Sequence, residues 1–227
     1  MTEQGQRAAK VWRDPDFVTA WASNDAMGDL LAFPRHLAAA LVAHDNPDPR
    51  LVIDIGSGPG AFLATFLDEF PRAHGIWSDA SEPMLARARD GLAAYGDRVE
   101  YRLADMTGLD SGDIPGGADV VMTSRAAHHL DRSALRTFYA KAAERLVPGG
   151  WLVNLDHVGP ADVWDRRFRA VRPRFIRPQA ETPQHHHNYP LTGTGDHLDA
   201  FARAGLTDVE IAWKAFYTCL FMARKDG

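Results

Sequence analysis

The chain has 227 residues, 45% of them hydrophobic and 24% charged, with a formal net charge of -5 at pH 7. That composition belongs to a soluble globular protein with one sizeable core, and its acidic balance speaks against an undivided phosphate-binding surface. No run approaches the ~18 apolar residues of a membrane span. The opening MTEQGQRAAK lacks the apolar stretch of a secretory signal, and the single cysteine, Cys219, excludes an internal disulfide framework. The expected compartment is the cytoplasm.

In chain order, residues 1–50 read as helical, with apolar positions at Trp12, Phe17, Trp21, Leu30, Leu31, Leu37 and Leu41. The NPDPR run at 46–50 ends them, because two prolines so close forbid further helix. Strand and helix then alternate. Leu51–Ile55 reads as a strand, Ala61–Phe70 as a helix with Phe62, Phe66 and Leu67 on one face, and His74–Asp79 as the next strand. Ser81 is placed to cap a helix whose first turn tolerates Pro83, with Met84, Leu85, Ala88, Leu92 and Tyr95 at helical spacing. Val99–Ala104 and Ala118–Ser124 are the third and fourth strands. A helix over Asp131–Leu146, with Leu135, Phe138, Ala142 and Leu146 inward, stops at the PGG of 148–150, and Trp151–Asp156 follows as the fifth strand. Repeated units of this length predict parallel strands covered on both faces.

After residue 160 the pattern changes. Six arginines crowd between Arg166 and Arg177, prolines recur, and His185, His186 and His187 stand together. The arginine run, WDRRFRAVRPRFIRP, reads first as a solvated helix face with Phe168, Val171 and Phe175 packed inward; cupping an acidic group on a ligand is the functional alternative. A helix near Gly195–Ala204 precedes two strands, Asp208–Trp213 and Phe216–Ala223, joined so tightly that they must be antiparallel. Both alternating sets of the last strand are mainly apolar, so it belongs inside the sheet rather than at its edge.

The first strand runs into LVIDIGSGPG. Gly56, Gly58 and Ala61 satisfy a dinucleotide fingerprint, a weak signal by itself. Asp54 tilts it, since a carboxylate there would repel a pyrophosphate and attract an ammonium group. Gly60 adds a further side-chain-free position. Asp79 and Asp105 close or follow the second and third strands, suited to ribose hydroxyls and an adenine amine. These three acids describe a cationic ligand with adenosine at one end and an amino acid at the other.

Taken together, DIGSGPG, IWSDAS, RLADM, the HHL after the fourth strand, LVPGGW and the terminal hairpin resemble a class I S-adenosylmethionine-dependent methyltransferase of the small-molecule type, across about residues 50–227. The resemblance implies a doubly wound, Rossmann-like α/β fold with seven strands in the order 3-2-1-4-5-7-6, the last antiparallel. It implies a helical lid over 1–50, a cofactor-binding domain over 51–227 and a substrate-lid insertion over 160–190. Carried onto these positions, Gly56, Ser57, Gly58 and Gly60 approach S-adenosylmethionine through backbone, and Asp54 helps hold its amino group. Asp79 takes the ribose hydroxyls, Ala80 and Met84 lie against adenine, Asp105 accepts from its amine with Met106 nearby, and Ser124 borders the methionine carboxylate. The product is S-adenosylhomocysteine.

Methyl transfer needs a general base only when the acceptor loses a proton, and histidine suits that role near neutral pH. His129 is the favoured base, with His128 beside it. Trp21, Arg35, His157, His186 and Tyr189 are candidates for the acceptor side, with Trp12 as a further lid residue. Three consecutive histidines diverge when extended and do not readily close around one ion, so no metal is expected. A small-molecule acceptor is expected, without nucleic acid or membrane, in a monomer or homodimer. The rival readings are an RNA or protein methyltransferase, a nicotinamide-dependent oxidoreductase and a silent cofactor-binding subunit.

Overall fold

The computed structural model describes residues 11–23, 28–109, 112–176 and 190–227. His186 and Tyr189 lie outside the described residues. Seven strands form one sheet: β1 (Leu51–Ile55), β2 (His74–Asp79), β3 (Val99–Leu103), β4 (Ala118–Ser124), β5 (Leu146–His157), β6 (Leu206–Ala215) and β7 (Thr218–Lys225). Their order is β3-β2-β1-β4-β5-β7-β6. The first five pair in parallel, while β7 runs antiparallel to both β5 and β6. The sheet therefore matches the order that the family resemblance implied, and β7 is interior, with Thr218 to Ala223 all buried.

Period-two alternation sends the sheet's apolar side chains into two cores. Val52, Trp77, Val120, Met122, Val153 and Leu220 pack on one face, against α1 (Pro15–Ser23), α2 (Gly28–Asp45), α3 (Ala61–Glu69) and α4 (Glu82–Gly91). Ile53, Ile55, Val121, Leu152 and Phe221 pack on the other, against α5 (Arg132–Arg145) and α7 (Thr194–Arg203). Asp54 shares the face of Val52 and is wholly buried.

Several sequence expectations shift. On α2 the inward stripe is Leu31, Ala38, Ala39 and Val42, whereas Leu41 is exposed, because burial follows the side that meets α3 rather than side-chain size. The fifth strand begins at Leu146, not Trp151. Pairing advances two residues on β4 and five on β5 between Ala118–Leu146 and Val120–Trp151, so the PGG segment is absorbed as an irregularity within the strand. The arginine run forms α6 (Asp162–Val171) and a short 3-10 turn, Arg172–Arg174. Phe168 packs edge-on to Phe216 and Tyr217 at 5.7 and 5.6 Å, but Val171 and Phe175 are exposed rather than inward. Only a narrow strip of this helix meets the β6–β7 turn.

A candidate active site at the carboxyl ends of the strands

Parallel strands in a doubly wound sheet leave a crevice beyond their carboxyl ends, where the connections to the preceding and following helices part. Here the parting lies between β1 and β4, which are neighbours in the sheet but not in sequence. An open cleft of about 1500 Å³, including the solvent at its mouth, occupies that position.

One wall is the turn after β1. Gly56 adopts φ +67, and a Cβ there would lie 2.6 Å from the Cβ of Ala126, so no other residue lets the β1 and β4 turns approach so closely. The Gly58 N–H donates to Asp79 Oδ2 at 2.9 Å, and the Ser81 N–H donates to Asp79 Oδ1 at 2.9 Å. Asp79 is thereby held at the cleft with lone pairs remaining on both oxygens. Burial raises its carboxyl above the usual range, partly offset by the Gly58, Ser81 and Ala80 N–H groups.

Gly56, Ser57, Gly58, Asp79, Ala80, Met84, Asp105, Met106 and Ser124 all line the cleft. Two of the cofactor candidates do not. Gly60 sits at the N-terminus of α3 with φ +88, its α-carbon turned against Leu92. Asp54 lies beneath the glycine turn, where its Oδ2 accepts from Ser57 Oγ at 2.6 Å and its Oδ1 finds no partner among the described residues. Burial pushes its carboxyl up to about 7, against the lowering influence of Ser57 and Arg35.

These orphaned atoms test the implied cofactor. A buried carboxylate oxygen without a donor costs free energy until a cation or a donor arrives. Asp54 Oδ1 supplies that demand below the turn, and Ser124 Oγ, likewise buried and without a partner among the described residues, supplies a second polar atom at the rim. An adenosyl group with an amino acid tail fits this donor set: acids for hydroxyls and amine, methionines and Ala80 for the ring, backbone for close approach.

The opposite wall carries candidate chemistry. His129 lines the cleft; His128 does not. The His128 ring is 97% buried, with Nδ1 2.6 Å from Asp156 Oδ1, and its backbone N–H donates to Asp156 Oδ2 at 2.9 Å. Its ring lies 4.0 Å from that of His129. His157 is turned to Thr218 Oγ1 at 3.0 Å, 5.2 Å from the His128 ring, and is not on the cleft wall. Asp156 escaped the sequence reading, although it closes β5 as Asp54 and Asp79 mark the ends of β1 and β2.

Trp12, Trp21 and Arg35 form the roof of the cleft. Ser81 Oγ, which accepts the Met84 N–H at 3.2 Å as the cap of α4, also donates to the Trp12 carbonyl. Arg87 reaches Thr19 Oγ1 at 3.1 Å. Arg125, the first residue after β4, stacks over the Trp21 ring at 4.8 Å and lines the cleft. No motif in the sequence marks Arg125. By contrast, residues 160–176 contribute nothing to this wall; α6 borders a separate shallow cavity with Thr194 and Lys214. Among the described residues no three His, Cys, Asp or Glu side chains converge as metal ligands, and no helix is long and apolar enough to cross a membrane.

Comparison with known proteins agrees with this geometry. A family model described as a methyltransferase domain matches residues 52–150. The chain is 30% identical over 116 residues to 3-amino-4-hydroxybenzoate 4-O-methyltransferase of Streptomyces cremeus, covering 51% of this chain and 31% of that one. It is 29% identical over 174 residues to aclacinomycin 10-hydroxylase of Streptomyces purpurascens, covering 74% and 44%. The structure of an O-methyltransferase family protein from Burkholderia thailandensis superposes with a TM-score of 0.67 at 25% identity, covering 92% of this chain and 60% of that one. The chain thus spans between 31% and 60% of these relatives' lengths.

Proposed function

We propose that the chain is a class I S-adenosylmethionine-dependent methyltransferase and that it methylates an oxygen atom of a small organic acceptor, in the cytoplasm. The cofactor, when bound, supplies an electrophilic methyl group. The protein's own contribution is alignment, exclusion of water and removal of the acceptor's proton.

Asp79, oriented by two backbone N–H groups, takes the ribose hydroxyls; Asp105, whose Oδ1 is held by Thr107, takes the adenine amine. Asp54 faces the amino group from below, directly or through a water. On the other side His129 accepts the hydroxyl proton of the acceptor. His128, clamped through ring and backbone by Asp156, is a positioning residue that fixes the His129 ring. Choice of oxygen rests on the O-methyltransferase names among the relatives, and on His129, which an acceptor with no proton to lose would not need.

The observation that carries this reading is the convergence on one cleft of the glycine turn, Asp79, Asp105 and His129. Calorimetry with S-adenosylhomocysteine should give heat where a nicotinamide dinucleotide gives none, and the reverse result would end the proposal. A second reading, cofactor binding without methyl transfer, draws support from the relative named as a hydroxylase. Radiolabelled methyl transfer to a panel of phenols and hydroxy acids separates the two.

A further inference from the structure

We infer that α6 and the turn after it seat the chain on an anionic lipid surface. The inference concerns the arginine run, which the cleft does not use, and it stands apart from the methyltransferase reading. Residues 162–176 hold five arginines and two aspartates, in a chain whose formal net charge is -5. No residue of α6 is buried, so the helix rides on the surface. It is attached through Phe168, which meets Phe216 and Tyr217, and through Asp165, whose Oδ1 accepts from the Tyr217 hydroxyl at 3.0 Å.

Side chains advance by about 100° per residue around a helix, and that sorts α6 into two sides. Asp162, Asp165, Arg166 and Arg169 fall on one, where Arg169 Nε pairs with Asp165 Oδ2 at 2.7 Å. Val163, Trp164, Arg167 and Val171 fall on the other, with no acid among them, and all four are exposed. Arg174 and Phe175, in the turn that follows, are exposed as well. The Arg167 guanidinium lies over the Trp164 ring at 4.8 Å, and neither Arg167 nor Arg174 forms an ion pair with a carboxylate among the described residues.

A side that mixes bare apolar groups with arginines, and excludes acids, is complementary to a surface that is negative on top and apolar beneath. An anionic bilayer has that profile. Its acyl boundary takes valine, tryptophan and phenylalanine side chains, while its headgroups take the guanidinium forks. A tryptophan with an arginine stacked on it suits that depth, the ring at headgroup level and its partner reaching phosphate. An acidic protein would match the charge, but it would need a shaped recess for a convex helix, whereas a fluid layer needs none. Such a contact is peripheral and requires no spanning helix; none of the described helices is one.

Sedimentation of the full chain with sucrose-loaded vesicles tests this, comparing equimolar phosphatidylglycerol and phosphatidylcholine with phosphatidylcholine alone. The anionic vesicles are expected to bind at least about tenfold more tightly, the factor that two arginines near such a surface carry. Salt at about 0.5 M should remove most of that difference. The double variant R167Q/R174Q should erase the preference, and W164S/F175S should weaken binding to the anionic vesicles by about tenfold. Both replace exposed side chains, so each keeps the wild-type fold by circular dichroism. The inference falls if the chain ignores both kinds of vesicle or binds them equally, and it falls if either variant binds as the wild type does. Retention on poly-L-glutamate without vesicle binding would assign the surface to an acidic protein and end the lipid reading. No cofactor enters these measurements, so their failure leaves the methyltransferase reading where it stood.

Discussion

His197 gives the chain a measurable sensitivity to acid. It lies fully buried on α7, stacked on Phe221 at 4.9 Å, with Nδ1 2.7 Å from the Tyr139 hydroxyl and Nε2 3.2 Å from Thr192 Oγ1. Asn154 Nδ2 donates to the Tyr139 oxygen at 2.6 Å, so the tyrosine proton is directed to Nδ1 and the imidazole is a neutral ring carrying its proton on Nε2. A second proton would take away that acceptor. Burial accordingly pushes the His197 pKa down from 6.5 to about 4. Between those values the unfolded chain binds more protons than the folded one, so stability is full above about pH 6.5 and is lost as pH falls towards 4. Linkage sets the loss at roughly 2 kcal/mol by pH 5 and roughly 3 kcal/mol by pH 4. Asp54 works in the other direction: with its pKa raised to about 7, it reduces the stability of the unliganded protein as pH rises from about 4 to 7. The measurement is therefore a difference. Urea unfolding of wild type and His197→Gln, taken from pH 7.5 to 4.5, should show the wild-type advantage shrinking with acid along that curve. A difference that stays constant with pH would refute the argument.

Other consequences concern the site. Asp79→Asn should weaken S-adenosylhomocysteine binding by on the order of 1–3 kcal/mol, through lost charged hydrogen bonds, and calorimetry showing unchanged affinity would remove Asp79 from the site. Because Asp54 titrates near 7 before the cofactor arrives, S-adenosylhomocysteine affinity should fall as pH drops below 7, by up to about tenfold per unit, and the slope should vanish in Asp54→Asn. Asp156→Asn should lower kcat by on the order of tenfold or more while S-adenosylhomocysteine affinity is unchanged, since it releases His128 and not the cofactor; equal losses in both would mark Asp156 as purely structural. Gly60→Ala places a Cβ 2.7 Å from Leu92 Cδ1 at φ +88, and thermal melting should show destabilisation of at least about 1–2 kcal/mol.

Much of this molecule is legible in its sequence because the signals are local. Ser81 and Pro83 announce the start of α4, and Asp131 does the same for α5, since capping depends on residues three apart. The interior position of β7 follows from apolar residues on both alternating sets. Asp79 and Asp105, which both line the cleft, stand at or just past a strand end, a place defined within the chain. Errors arise where the answer depends on a neighbour. Leu41, Val171 and Phe175 are apolar and yet exposed, because among the described residues little covers the sides where they stand, Phe175 meeting only the Phe216 ring at 6.0 Å.

What the sequence determined by itself is the strands' alternation and the glycine turn with its strand-end acids, since each is written in a short local run of residue types. The opposite wall of the cleft was decided only by tertiary structure. Arg125 meets Trp21 from 104 positions further along the chain, Asp156 meets His128 from a different strand, and Trp12 meets Ser81 from beyond the sheet. Contacts of that range leave no periodicity in the chain, because they are fixed by where the strands end in space rather than by what stands beside each residue.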